Sequence, residues 1–147
     1  GPTESARGVE LSFSDSARIQ MTLKAALVER YKQEEEEKTL FPEGIEVQFI
    51  DPNGQPGTHI RADHAIKYED RKETIATGNV VVTNAKGERL NTEKLIWDEK
   101  NERIFTDEFV QVTTPKQVIM GTGLEADQQF SWYEIKNIKG TLAIDNE

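Results

Sequence analysis

The sequence predicts an all-β domain built as an elongated series of antiparallel hairpins, and three observations carry that expectation. β-Branched and aromatic residues alternate with polar ones over short runs, turn-forming clusters separate the runs, and one strand–turn–strand template returns along the chain. At 147 residues the chain has the size of one domain with a single core.

Taken in order, Gly1 and Pro2 read as the remnant of a cleaved tag, and residues 1–8 as a disordered lead to one domain over 9–147. Val9 to Phe13 alternates, Ser14-Asp15-Ser16 supplies a turn, and Ile19 to Leu23 alternates again, which makes a hairpin. Leu23 to Lys38 is the ambiguous stretch, open between strand and helix. It lacks Gly and Pro and could be helical on propensity, but the like charges of Glu34 to Glu37 repel one another and favour an exposed loop before Phe41-Pro42-Glu43-Gly44. The same acidic run has none of the Gly or Asn spacing of a calcium loop. Ile45 to Phe49, the turn Asp51-Pro52-Asn53-Gly54 and His59 to Ala62 form a second hairpin. Asn84 to Gly87 and Asp98 to Asn101 mark further turns, flanked by Asn79 to Val82, Leu95 to Trp97, Arg103 to Phe105 and Phe109 to Val112.

Val9 to Asp15 and Ile45 to Asp51 follow one template, as do Leu23 to Tyr31 and Ile60 to Tyr68. A shorter signal recurs about every 30 residues, at Arg61-Ala62-Asp63, Asn91-Thr92-Glu93 and Gly123 to Asp127, and reads as the lead into successive strand pairs. Each unit is too small to bury an apolar face alone. Neighbouring units must therefore share one interior, and the first and last strands keep unpaired backbone edges.

Composition excludes several classes of function. A net charge of −9 and a pI near 4.8 repel nucleic-acid phosphates, and no basic stripe offsets them. Without cysteine there is neither a disulfide framework nor a thiolate metal site. His59 and His64 stand five apart in an alternating segment, which places them on opposite faces and argues against a metal pair. Ser12, Ser14 and Ser16 fit turn chemistry, and Asp63, Glu93 and Asp127 recur within the repeat, which suits a structural role better than acid–base work. The pattern is that of a non-enzymatic protein without metal or cofactor.

Three segments carry a resemblance to a known family: Ile75 to Asn84, Gly87 to Asp98, and Gly121 to Ala126 with Phe130. Together with Leu27 to Tyr31 and Phe41 to Ile45, their order resembles the LptC family of lipopolysaccharide-export proteins over nearly the whole chain. The resemblance implies a twisted β-jellyroll open along one side, held at the inner membrane by an N-terminal segment and lying in the periplasm. It also implies that lipopolysaccharide passes from an inner-membrane ABC transporter complex, LptB2FG-like, to an LptA-like bridge protein of similar fold. Both the bridge protein and the N-terminal domain of the outer-membrane acceptor share this architecture, so the resemblance leaves them as alternatives, beside a scaffold with a sealed core.

A carrier fits the residues themselves. Alternation assigns an apolar inner face to Val9, Leu11, Phe13, Ile19, Met21, Leu23, Ile119, Ile135 and Ile138, and to the residues expected to bind lipid. These are Val47, Phe49, Ile60, Ile75, Val80, Val82, Leu95, Trp97, Ile104, Val110, Val112, Leu124 and Phe130. Burial of one methylene is worth about 0.8 kcal/mol against at most about 1 kcal/mol for an exposed ion pair, so acyl contact outweighs the unfavourable net charge. The same alternation is equally compatible with an ordinary closed core. The last strand, with Ile135, Asn137, Ile138, Gly140 and Leu142, is the expected edge for the bridge protein, and the N-terminal edge the one for the transporter.

Overall fold

The computed structural model describes residues 1–144 and contains eleven β-strands and no helix among them. They are β1 (Glu4–Asp15), β2 (Arg18–Gln33), β3 (Glu36–Phe41), β4 (Ile45–Ile50), β5 (Pro56–Ala62), β6 (His64–Tyr68), β7 (Glu73–Thr83), β8 (Arg89–Asp98), β9 (Arg103–Thr113), β10 (Gln117–Asp127) and β11 (Tyr133–Ala143). All belong to one sheet in which every pairing is antiparallel.

The sheet is a meander folded lengthwise. β2 pairs with β4 through Met21 to Lys24 and with β3 through Glu29 to Gln33, while β7 pairs with β6 through its first half and with β5 through its second. β3 and β4 are thus the two arms of one bent strand, and so are β5 and β6. The long strands β1, β2 and β7 to β11 run through both arms. One wall contains β4 and β5, the other β3 and β6, and a crease joins them. Along that crease the backbone turns at Gly8 and Gly44, which occupy equivalent places at φ 62° and 106° just before the two matching runs from Val9 and Ile45. Register slips at the same level between β7 and β8, β8 and β9, and β9 and β10, as bulges bend the strands. Gly121 is required for a different reason: a Cβ there would collide with the Asn137 carbonyl of β11.

The interior is one cluster that draws on both walls, and Phe49 of the first wall meets Trp97 of the second edge-to-face at 5.8 Å. Alternation predicts most of it, and the all-β jellyroll of antiparallel hairpins is the fold observed.

Four expectations need correction. Residues 4–8 are not a disordered lead, because they pair with β2 from Arg7↔Leu27 out to Glu4↔Arg30. Leu23 to Lys38 is neither helix nor loop: β2 runs to Gln33, only Glu34 and Glu35 turn, and Glu36 and Glu37 open β3. The strand tolerates this acidic run because successive residues face opposite sides and Glu37 accepts a 2.7 Å bond from Arg30. Of the recurring signals, 61–63 closes β5 just ahead of the paired β6 and β7, whereas 91–93 and 123–127 lie inside the long strands β8 and β10 and not ahead of strand pairs. Ile75 lies on the outer face, since its neighbours Thr74 and Ala76 are the buried ones. Of the expected domain, residues 145–147 lie outside the described residues.

Candidate functional site

The site follows from rows of side chains, because residues paired across adjacent strands share a face. On the first wall one inward row runs Leu11, Leu23, Val47, Ile60, Val82, Leu90, Val112 and Ile119, apolar at every step. On the second wall the corresponding row runs Glu4, Arg30, Thr39, Lys67, Thr74, Trp97, Ile104, Ala126 and Tyr133. It is polar up to Thr74 and apolar or aromatic from Trp97 onward.

The polar stretch is internally bonded. Thr39 Oγ1 donates to Glu69 and Thr74 Oγ1 to Glu99, both at 2.8 Å, and Lys67 Nζ lies between the two carboxylates at 3.7 and 3.3 Å. Arg30 lies 2.7 Å from Glu37 and 3.5 Å from Glu4, and the hydrogen bond to Glu37, with the charge of Glu4, raises its pKa above the ordinary arginine value.

A strap closes the other half. Residues Gln128 to Trp132 link β10 to β11 at the free rim of the second wall, and three successive carbonyls reach the first wall. Gln129 O accepts from Thr58 Oγ1, Phe130 O from Asn84 Nδ2 at 2.7 Å, and Ser131 O from Lys86 Nζ at 2.9 Å. Gln128 Oε1 accepts from the Trp97 indole at 3.0 Å. Asp127 shapes the strap by accepting from the Ser131 and Trp132 amides. Phe130, held at φ 51°, is fully buried and stacks on Tyr133 at 5.0 Å. Burial raises the Tyr133 pKa, and the charge of Glu88 adds to it.

Of the residues expected to bind lipid, all but Ile75 join one cluster: Val47, Phe49, Ile60, Val80, Val82, Leu95, Trp97, Ile104, Val110, Val112, Leu124 and Phe130. From β7 to β10 this cluster is packed shut beneath the strap. The interior surfaces instead at the β1–β2 end, where the inward-facing Leu11, Phe13 and Ile19 are 47%, 43% and 46% exposed. Beside them a cavity of about 380 Å³ is bounded by Phe13, Met21, Phe49 and Trp97, with Glu99, Gln128 and Gln129 at its rim. Sequence reasoning placed Met21 on the inner face but missed the polar rim of Glu99, Gln128 and Gln129, since alternation gives no sign of where a core stops being covered.

At the other end β11 pairs with β10 alone. Ile135 is half-buried and inward, Ile138 is inward but 63% exposed, Asn137 pairs with Thr122, and Gly140 and Leu142 pair with Met120 and Val118. His59 and His64 lie on separate strands, and no metal-binding cluster occurs among the described residues.

A creased antiparallel meander with an apolar interior, uncovered at one end and flanked by two free edge strands, defines an open β-jellyroll that offers a trough. The profile of the family described as lipopolysaccharide-assembly, LptC-related, matches residues 8–143, and the chain belongs to that family. Membership places it in lipopolysaccharide transport, among proteins associated with the periplasm and inner membrane that work with other Lpt components and are not known as enzymes. No curated protein matches the chain. No helix among the described residues is long and apolar enough to cross a membrane.

Proposed function

We propose that the chain is a periplasmic lipopolysaccharide carrier, attached to the inner membrane, that receives acyl chains at its β1–β2 end and passes them along the trough to a bridge protein at β11. The observation that supports this reading is the uncovered inner face of β1 and β2, whose Leu11, Phe13 and Met21 continue in register into the buried row of Leu23, Val47 and Phe49. An acyl chain laid on that face gains about 0.8 kcal/mol for each methylene removed from water, which needs no attraction from the acidic protein. The free edge of β1 suits strand addition from the transporter complex, and that of β11, with Ile135, Asn137, Ile138, Gly140 and Leu142, suits the LptA-like bridge protein.

The strap favours a second reading, a scaffold whose interior never admits lipid, because everything from β7 to β10 is already filled. Photo-crosslinking side chains at Phe13, Phe49, Val82 and Trp97 separate the two. The carrier predicts lipopolysaccharide adducts at Phe13 and Phe49 first, and at Val82 during transport. No adduct at any of the four positions leaves only the scaffold.

A further inference from the structure

The open cavity at the β1–β2 end and the packed section meet at the strap: Gln128 and Gln129 bound the cavity, and the next residue, Phe130, fills the interior beyond it. The strap is held unevenly. Its root belongs to the second wall, where the Gln128 amide donates to the Glu102 carbonyl at 3.0 Å and Gln128 Oε1 accepts from the Trp97 indole. Its shape is kept from within, since the Asp127 carboxylate accepts from the Ser131 and Trp132 amides and the Asp127 carbonyl from the Phe130 amide. Its hydrogen bonds to the first wall come only from the side chains of Thr58, Asn84 and Lys86, and among the described residues no backbone-to-backbone bond crosses the rim. The crease, by contrast, is crossed by the long strands themselves, so the two walls are joined firmly along one side and lightly along the other.

We infer that the strap is a lid on the packed section: residues 129–132 lift off the first wall as one piece, withdraw the Phe130 ring, and extend the open cavity toward β11. The inference rests on the trough reading above and names what regulates passage along it. Lifting breaks no strand pairing. Three side-chain bonds separate at a rim where water replaces them, while the bonds to Asp127 travel with the strap. The ring is also placed against the preference of its own backbone, because φ 51° is the left-handed region, unfavourable for a bulky residue, and this offsets part of what burial gains. An acyl chain entering from the cavity supplies the apolar contact that the withdrawn ring gives up. Ligand therefore favours the lifted state and an empty trough the closed one.

The chain has no cysteine, so spin labels at Ala85→Cys and Gln129→Cys report the gap across the rim by pulsed electron resonance. Both positions are exposed, and neither side chain takes part in the three bonds to the first wall. Without ligand one distance is expected, and added lipopolysaccharide should bring in a second, longer one. Thr58→Val removes one donor at constant shape and should raise the longer population about fivefold while it is the minor one, as loss of one net hydrogen bond does. Joining the two cysteines with a short bis-maleimide should leave lipopolysaccharide photo-adducts at Phe13 unchanged and bring those at Val82 to background. If the untied chain gives no adduct at Phe13, the trough reading falls and this inference with it. If Phe13 adducts form but the distance stays single with lipopolysaccharide, the lid alone is overturned. The same holds if Thr58→Val leaves the longer population unchanged, or if the tied chain gives Val82 adducts at the untied yield. The label pair places no substitution inside the packed section, so it decides even where a probe at Val82 disturbs the packing.

Discussion

The β1–β2 end and the β7–β10 section obey one sequence rule and meet opposite fates. Leu11 and Phe13 alternate with polar residues just as Val80 and Val82 do, yet the first pair is nearly half exposed and the second has no exposure at all. The difference lies outside the strands themselves. Val80 and Val82 lie within the one buried cluster that includes Phe130, whereas Leu11 lies on an edge strand with no further neighbour and Phe13 borders the open cavity it shares with Trp97. Alternation fixes which face a residue takes; what lies opposite decides whether that face is sealed.

The strap offers the sharpest way to break the comparison. Phe130→Ala should cost about 3–5 kcal/mol in urea unfolding, because it empties the filled section. The same variant should extend lipopolysaccharide crosslinking from Phe13 to Val82, making the two regions alike. A small loss of stability with no change in adducts would mean that the strap does not divide them.

A paired truncation comes next. Leu90→Ala, with its side chain fully buried, should lose about 2–5 kcal/mol, while Leu11→Ala, on the uncovered face, should lose about 1 kcal/mol or less. Equal losses in chemical denaturation would show that the β1–β2 face is covered in solution.

The smallest expected effect is a pH dependence within the packed section. Asp98 accepts bonds from the side chain and amide of Asn101 at the β8–β9 turn, and these hold its carboxyl below the ordinary aspartate value. Because the folded pKa lies under the unfolded one, its stabilisation is complete above the usual carboxylate range and fades as pH falls through the lowered value. Asp98→Ala should remove that slope from the acid side of a thermal melting series. The β1–β2 register should be unaffected, as followed by amide exchange.

Sequence made most of the fold legible, and its misses have physical causes. The hairpin turns and the inward phase of β1, β4, β5, β8 and β9 follow from β-branched and aromatic residues alternating with polar ones. Ile75 misleads because the inward positions beside it hold the small Thr74 and Ala76, so the larger residue in the alternation is the outer one. Outward Ile75 pairs with Ile66 and Ile96, a row that hydropathy alone assigns to the core. The acidic run misleads because its like charges are offset from the neighbouring strand, where Lys32 pairs with Glu37 in register and the Arg30 side chain bonds it. The polar row was invisible for a related reason: Thr39, Lys67 and Thr74 line up only once register is known.

Nearly every strand pairs with the next arm along the chain, so a polypeptide entering its compartment N-terminus first could complete each rung as soon as the following hairpin emerges. The bond from Thr58 to the Gln129 carbonyl, 71 residues apart in sequence, belongs to another order of assembly. It joins parts of the molecule made early and late, and so would form after the meander is laid down. The latch across the rim is then the final fastening of the fold and, by the same loop-closure cost, a natural first point of local unfastening.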